Sequence, residues 1–211
     1  MDAPNYSIRR YVIYVKRGVY KENVDMKKKK TNIMLVGDGI GATVVTGDRN
    51  FLQGWTTFRT ATVAVSGRGF IARDITFRNT AGPQSHQGVA LRVDSDQSAF
   101  YRCSMEGFQD TLYAHSLRQF YRECSISGTI DFIFGNGAAV LQNCKIYTRE
   151  PLELQKVTIT AKGRKNPNRN TGFSIQDSFV YATKPTCLGR PWKEYSRTVF
   201  INTYMSSMVQ P

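Results

Sequence analysis

Histidine is scarce in this chain: His86 and His115 are the only two among 211 residues. The four cysteines, Cys103, Cys124, Cys144 and Cys187, contain no C-x-x-C pair. Zinc ligation and dithiol redox chemistry need closely spaced thiol and imidazole ligands, so neither kind of centre is expected. No run of 18 apolar residues occurs, which argues against a bilayer-spanning helix. The opening MDAPNYSIRRYVIYV has an early acid and a proline, and lacks the apolar core and small-residue cleavage site of a signal peptide. The expectation is an intracellular protein or a chain without its natural beginning. Acidic residues are also few, 16 against 29 Lys and Arg, for a formal net charge of +13. Such a field suits an anionic partner, either nucleic acid or an acidic polysaccharide. Zinc-finger spacing, an RRM aromatic signature and a basic helix are all missing, which places nucleic acid last. The densest basic run, Lys27 to Lys30, reads as a solvated turn.

What is present is short β-like segments. Tyr11 to Val15, Ile33 to Gly37, Thr43 to Thr46, Thr62 to Val65, Phe70 to Phe77, Gly88 to Val93, Thr129 to Phe134, Ala139 to Leu141 and Val157 to Thr160 are β-branched or aromatic. Gly, Asn, Asp and Ser bound them. Self-similarity is the stronger signal. The segment Phe100 to Gly107 resembles Phe120 to Gly128 and then Val140 to Ile146, with Phe100, Phe120 and Val140 recurring every 20 residues. A period near 20 without intervening helices predicts an all-β, right-handed parallel β-helix spanning 1–211 as one domain. A β-sandwich with coincidental spacing is the alternative. Cys103, Cys124 and Cys144 follow the repeat, as stacked core thiols or as disulfide partners, and Asn143 is expected in an inner ladder at a turn. The polar stretch 162–170 reads as a loop between coils.

Asp110 and Asp131 stand 21 residues apart, about one period. Neighbouring parallel strands lie about 4.8 Å apart, so the repeat sets the two carboxyls side by side on an outer face. Like charges that close disfavour joint ionisation: one carboxyl holds a proton while the other serves as nucleophile or base. Aspartates in β-proteins are also common surface turn residues, and neighbours are needed to separate the readings. Gln87 and Gln109 can donate amide hydrogen bonds to a developing oxyanion. Arg190, in Leu188-Gly189-Arg190-Pro191-Trp192, can hold Asp131 with a planar guanidinium. Tyr113, Phe134 and Trp192 stand near these polar residues as sugar-stacking walls, with core packing the plainer account of each.

Taken together these segments resemble the plant pectin methylesterases. The resemblance rests on Gly18 to Glu22, Gln87 to Arg92, Gln109 to Tyr113, Asp131 to Asn136 and Leu188 to Trp192, in one order along essentially the whole chain. It implies a parallel β-helix that hydrolyses galacturonate methyl esters of pectin with release of methanol. Asp131 matches the nucleophile, Asp110 the acid and later base, and Gln87 and Gln109 the oxyanion donors. Arg190 matches the residue that bonds the nucleophile, and Tyr113, Phe134 and Trp192 line the substrate groove. No metal and no organic cofactor is implied. The implied partners are methylesterified homogalacturonan and a proteinaceous pectin methylesterase inhibitor, for a monomer in the cell wall without membrane or nucleic-acid contacts.

The chain is shorter than the family's catalytic domain. It reads as truncated at both ends, with poor solubility or weak activity expected of an uncapped β-helix. A pectin-binding fragment of little activity is therefore a competing reading, and another acidic-polysaccharide hydrolase or lyase a more distant one. Ser178 stands where many relatives carry the disulfide partner of Cys144; either Cys187 substitutes as that partner or Cys144 is free, and free cysteines are expected because the nine residues from Ser178 to Cys187 are nearly half a coil.

Overall fold

The computed structural model describes residues 3–210; Met1, Asp2 and Pro211 of the one-domain reading lie outside the described residues. Its strands form three parallel sheets, each of eight strands in sequential order with every third strand of the chain. One coil therefore contributes one strand to each sheet, and the stack is a right-handed parallel β-helix. The coil Ser98–Tyr101, Ser104–Glu106, Leu112–Ala114 lies beneath Arg118–Arg122, Ser125–Gly128, Ile130–Gly135. Above them come Ala138–Gln142, Lys145–Thr148 and Val157–Lys162.

The corner between the first two sheets is made by a single residue in the left-handed region. Asp74, Arg102, Glu123, Asn143, Asp177 and Asn202 occupy it in successive coils, with φ between 46° and 57°. Each such residue costs about 1–2 kcal/mol. Inter-coil hydrogen bonding offsets that cost: the corner N–H of Arg102 donates to Arg122 O (3.1 Å), that of Glu123 to Gln142 O (3.1 Å) and that of Asn143 to Gln176 O (3.0 Å). The expected continuous run Phe70 to Phe77 is broken by this corner into Ile71–Arg73 and Thr76–Asn79. Asn143 is also corrected: it is a solvent-exposed corner residue, outside the interior. The inner ladder belongs to the next residue along, Ile75, Cys103, Cys124, Cys144 and Ser178, all buried. All four cysteines are free, and Ser178 Oγ accepts the Cys144 N–H at 3.0 Å.

The interior is a stack of apolar side chains in register. Phe100 lies flat on Tyr121, centroids 4.8 Å apart and planes 9° apart. Such a pair adds about 0.5–1.5 kcal/mol to its area burial. This register corrects the 20-residue alignment of Phe100 with Phe120. Phe100 pairs with Tyr121, and Phe120 pairs with Ala99 below and Val140 above. One residue of slip exchanges the faces of a strand, so Phe100 is buried while Phe120 is 37% exposed. The stretch 162–170 is likewise less solvated than its composition suggests. Lys162 ends the strand Val157–Lys162, and both it and Arg164 are buried. Lys27 to Lys30 form an exposed or half-exposed turn, as expected.

Candidate active site

The third sheet presents the site on its outer face. Leu112 and Ile133 enter the core while Tyr113 and Phe134 face the cleft; Leu112 pairs with Ile133, and Tyr113 with Phe134. The same 21-residue offset carries back to Asp110 and Asp131. The Asp110 N–H donates to Ile130 O at 3.0 Å, which ties the two strand starts together. Between Ile130 and Ile133 the register to the following strand shifts: Ile130 pairs with Thr158 and Ile133 with Thr160. Three steps on one strand thus match two on the other, a bulge at Asp131 and Phe132. A bulge re-aims a side chain at the cost of local pairing. Here it coincides with left-handed backbone at Asp131 (φ 50°), matched one coil below by Asp110 (φ 66°).

All eight site residues expected from the sequence meet in one cleft of about 540 Å³, lined by Gln87, Gln109, Asp110, Tyr113, Asp131, Phe134, Arg190 and Trp192, with Thr57, Ala161 and Pro191. Gln87 and Gln109 stack through an isolated parallel bridge between adjacent coils. Among the described residues, neither side-chain amide has a protein partner, so both remain available to a bound molecule. Tyr113 and Phe134 form a wall of parallel rings, centroids 4.1 Å apart. Trp192 leans on Phe134 at 6.1 Å and 59°. Phe134 is buried and Trp192 is 48% exposed.

The two aspartates have different surroundings. Arg190 donates from Nε to Asp131 Oδ1 at 2.8 Å and from Nη2 to Asp131 Oδ2 at 2.5 Å. This two-pronged, charge-assisted contact fixes both distance and plane. It also raises the Arg190 pKa further, the hydrogen bond to Asp131 being the main cause. Asp110 is buried and, among the described residues, its carboxyl has no hydrogen-bond partner. Burial foremost, and then the charge of Asp131, push its pKa well above the carboxylate range, with Arg190 opposing. The pair therefore joins an aspartate gripped by Arg190 to a buried one whose protonated form is favoured. His115 lies behind Tyr113 at 5.0 Å, and burial lowers its pKa. Among the described residues no group of three or more His, Cys, Asp or Glu side chains is arranged to hold a metal ion.

Thr57 was not singled out by sequence. It reaches the cleft on the short 3₁₀ turn Thr57–Arg59, and the turn is held from beneath by Arg92. That buried guanidinium lies 3.4 Å from the Phe58 ring centroid, donates to Phe58 O at 2.6 Å and pairs with Asp94 at 3.3 Å. No local spacing announces a contact between residues 34 positions apart. Ala161 was also missed: it pairs with Phe134 on one side and Arg190 on the other, and lines the cleft with Trp192.

The sequence model of the pectinesterase family matches residues 1–211. The Arabidopsis thaliana protein numbered 22 in the pectinesterase/pectinesterase inhibitor series is 82% identical over 210 residues, covering 100% of this chain and 39% of that protein. The chain spans about two fifths of the length of the curated relatives it matches. Among solved structures, pectin methylesterase from carrot superposes with a TM-score of 0.98 at 55% identity, over 100% of this chain and 69% of that one. A pectin methylesterase in complex with a hexasaccharide matches at a TM-score of 0.86 and 29% identity, over 99% of this chain and 73% of that one. The chain belongs to the pectinesterase family.

Proposed function

We propose that this member of the pectinesterase family hydrolyses the methyl esters of galacturonate units in pectin, through Asp131 as nucleophile and Asp110 as acid and then base. The observation that carries the reading is the asymmetry of the pair: Asp131 is gripped by Arg190, while Asp110 beside it is buried, raised in pKa and, among the described residues, without a hydrogen-bond partner for its carboxyl. Asp131 attacks the ester carbonyl carbon, and the negative charge that develops on the carbonyl oxygen is met by the Gln87 and Gln109 amides. Collapse of this intermediate breaks the bond to methoxide, which takes the proton of Asp110 and leaves as methanol. Asp110, now a carboxylate, removes a proton from water as it attacks the acyl-enzyme. The second collapse frees the galacturonate carboxyl and returns Asp131 to its contact with Arg190. Stabilisation of the oxyanion by preorganised donors is worth about 3–4 kcal/mol per donor in comparable sites.

Tyr113, Phe134 and Trp192 suit the apolar faces of pyranose rings, and the hexasaccharide complex of a relative supports an oligosaccharide in such a cleft. The net charge of +13 favours retention on a polyanionic wall polymer. On the same reading the chain acts as a monomer in the cell wall, and a proteinaceous pectinesterase inhibitor is a partner, in keeping with the family.

The test is methanol release from highly methylated pectin by the wild type and by Asp131→Asn. The expected result is turnover in the wild type and a loss of about 10³-fold or more in the variant. Pectin binding without methanol release would overturn the catalytic reading, and shortened or unsaturated chains would point to a hydrolase or lyase.

A further inference from the structure

Two loops meet behind Trp192. The first, 163–170, follows the strand Val157–Lys162; the second, 192–197, follows the strand Thr186–Pro191 that carries Arg190. Arg164 joins them. Its guanidinium is buried and donates Nε to Arg169 O at 2.8 Å, Nη1 to Tyr195 O at 3.1 Å and Nη2 to Pro167 O. The Tyr195 N–H returns a bond to Arg164 O at 3.1 Å. A planar fork thus spans three carbonyls on two loops, which a lysine's single ammonium does not reproduce.

Next to this fork lies Gly163. A Cβ built on it would stand 2.8 Å from Cε3 and 3.0 Å from Cζ3 of Trp192, with Gly135 O at 3.4 Å. The indole therefore rests directly on the Gly163 backbone. Gly163 does not adopt the left-handed conformation, so alanine would fit its backbone and would act through the ring contact alone.

We infer that Gly163 and Arg164 are positioning residues for Trp192: the glycine is the surface on which the indole rests, and the arginine holds the Trp192 loop against that surface. The inference rests on Trp192 forming a wall of the substrate cleft. It adds two residues that do not line the cleft, and it predicts which kinetic parameter they control. A displaced wall weakens engagement of the sugar chain while Asp131, Asp110 and the glutamines remain in place, so KM moves and kcat does not.

The test uses the full chain in two arms. In the first, Trp55→Phe leaves Trp192 as the one indole, since the chain has two tryptophans. Acrylamide quenching then compares Gly163 with Gly163→Ala, and Arg164 with Arg164→Gln and Arg164→Lys. Greater quenching is expected in all three variants, with lysine no better than glutamine because the fork, not the charge, holds the loop. In the second arm, methanol release from methylated pectin is measured for Gly163→Ala alone and with Trp192→Ala. Gly163→Ala is expected to raise KM about fivefold, the worth of a modest ring contact, with kcat within about twofold and no further rise once Trp192 is absent. Unchanged quenching overturns the inference, as does a KM increase of equal size with and without Trp192. If the wild type releases no methanol, the esterase reading fails, and the quenching arm alone decides whether these residues seat the ring.

Discussion

Asp110 lies one coil beneath Asp131, and both hold left-handed backbone, at φ 66° and 50°. Two such residues cost of order 1–3 kcal/mol each. The register that stacks Leu112 on Ile133 and Tyr113 on Phe134 holds them there. The carboxyls share one cleft but not one environment, because Arg190 grips only Asp131.

The raised pKa of Asp110 makes a stability prediction. Its folded carboxyl binds a proton more tightly than the unfolded one, so its stabilising contribution is full below the ordinary carboxylate pKa. That contribution is lost as pH rises through the higher folded value. Asp110→Asn has no such loss. Thermal unfolding should show the variant a few degrees more stable than the wild type at pH 8, with the advantage vanishing toward pH 4. Parallel pH curves for the two proteins would contradict the buried, unpaired carboxyl.

Arg190→Lys tests geometry rather than charge. A lysine replaces two aligned donors with one mobile ammonium. The expected effect is a fall in kcat of about tenfold or more with a smaller change in KM, because the loss falls on the aim of Asp131. Steady-state methanol release gives both parameters.

Lys162 is buried on the core side of the strand beneath the cleft, with its ammonium bonded to Asn136 Oδ1 at 2.8 Å and facing the Phe173 ring. Burial, reinforced by the nearby cations Arg164 and Arg197, lowers its pKa to about 7. Between that value and the ordinary lysine range near 10.5, the unfolded chain carries a proton that the folded chain lacks, so wild-type stability rises with pH across this window. Below it, the cost of burying the ammonium is constant. Lys162→Met should abolish the slope and be more stable at pH 6, by on the order of a few kcal/mol. Asn136 Oδ1 stays satisfied by Thr171 at 2.7 Å. Urea unfolding at several pH values measures both effects.

The cysteine ladder predicts a labelling pattern. Cys103, Cys124 and Cys144 are buried. The thiol pKa values of Cys124 and Cys144 are raised, Cys124 chiefly by burial and Cys144 chiefly by its contact with Cys124 and then burial. Only Cys187 is partly exposed. Iodoacetamide should add one label to the native protein and four after denaturation without reductant, as read by intact mass. Two labels after denaturation would indicate a disulfide and contradict the free ladder.

Much of the architecture is legible in local chemistry. A repeat of about 20 residues, with β-branched segments and no helical spacing, leaves stacking as the way to bury every coil. It also brings Asp110 near Asp131, and Gln87, Gln109, Arg190 and the aromatic residues form a recognisable set. What the repeat could not resolve was its own single-residue variation. Aligning Phe100 with Phe120 puts the wrong ring in the core, because the step is 21 residues from Phe100 to Tyr121 and 20 from Phe120 to Val140. Side-chain direction alternates with each residue, so only hydrogen-bonded register decides it. For the same reason the outward direction of Asn143 at its turn and the bulge at Asp131 were hidden.

The sequence by itself determined the chemistry available: a basic chain with few histidines, two carboxyls one repeat apart, two amides and a guanidinium. The tertiary structure supplied the two-pronged geometry of the expected Arg190–Asp131 contact, which joins residues 59 positions apart. It likewise decided that Lys162 and Arg164, polar by composition, lie inside, and that Trp192 rests on Gly163. Those outcomes depend on which coils are neighbours, and the neighbourhood of coils is created by the fold.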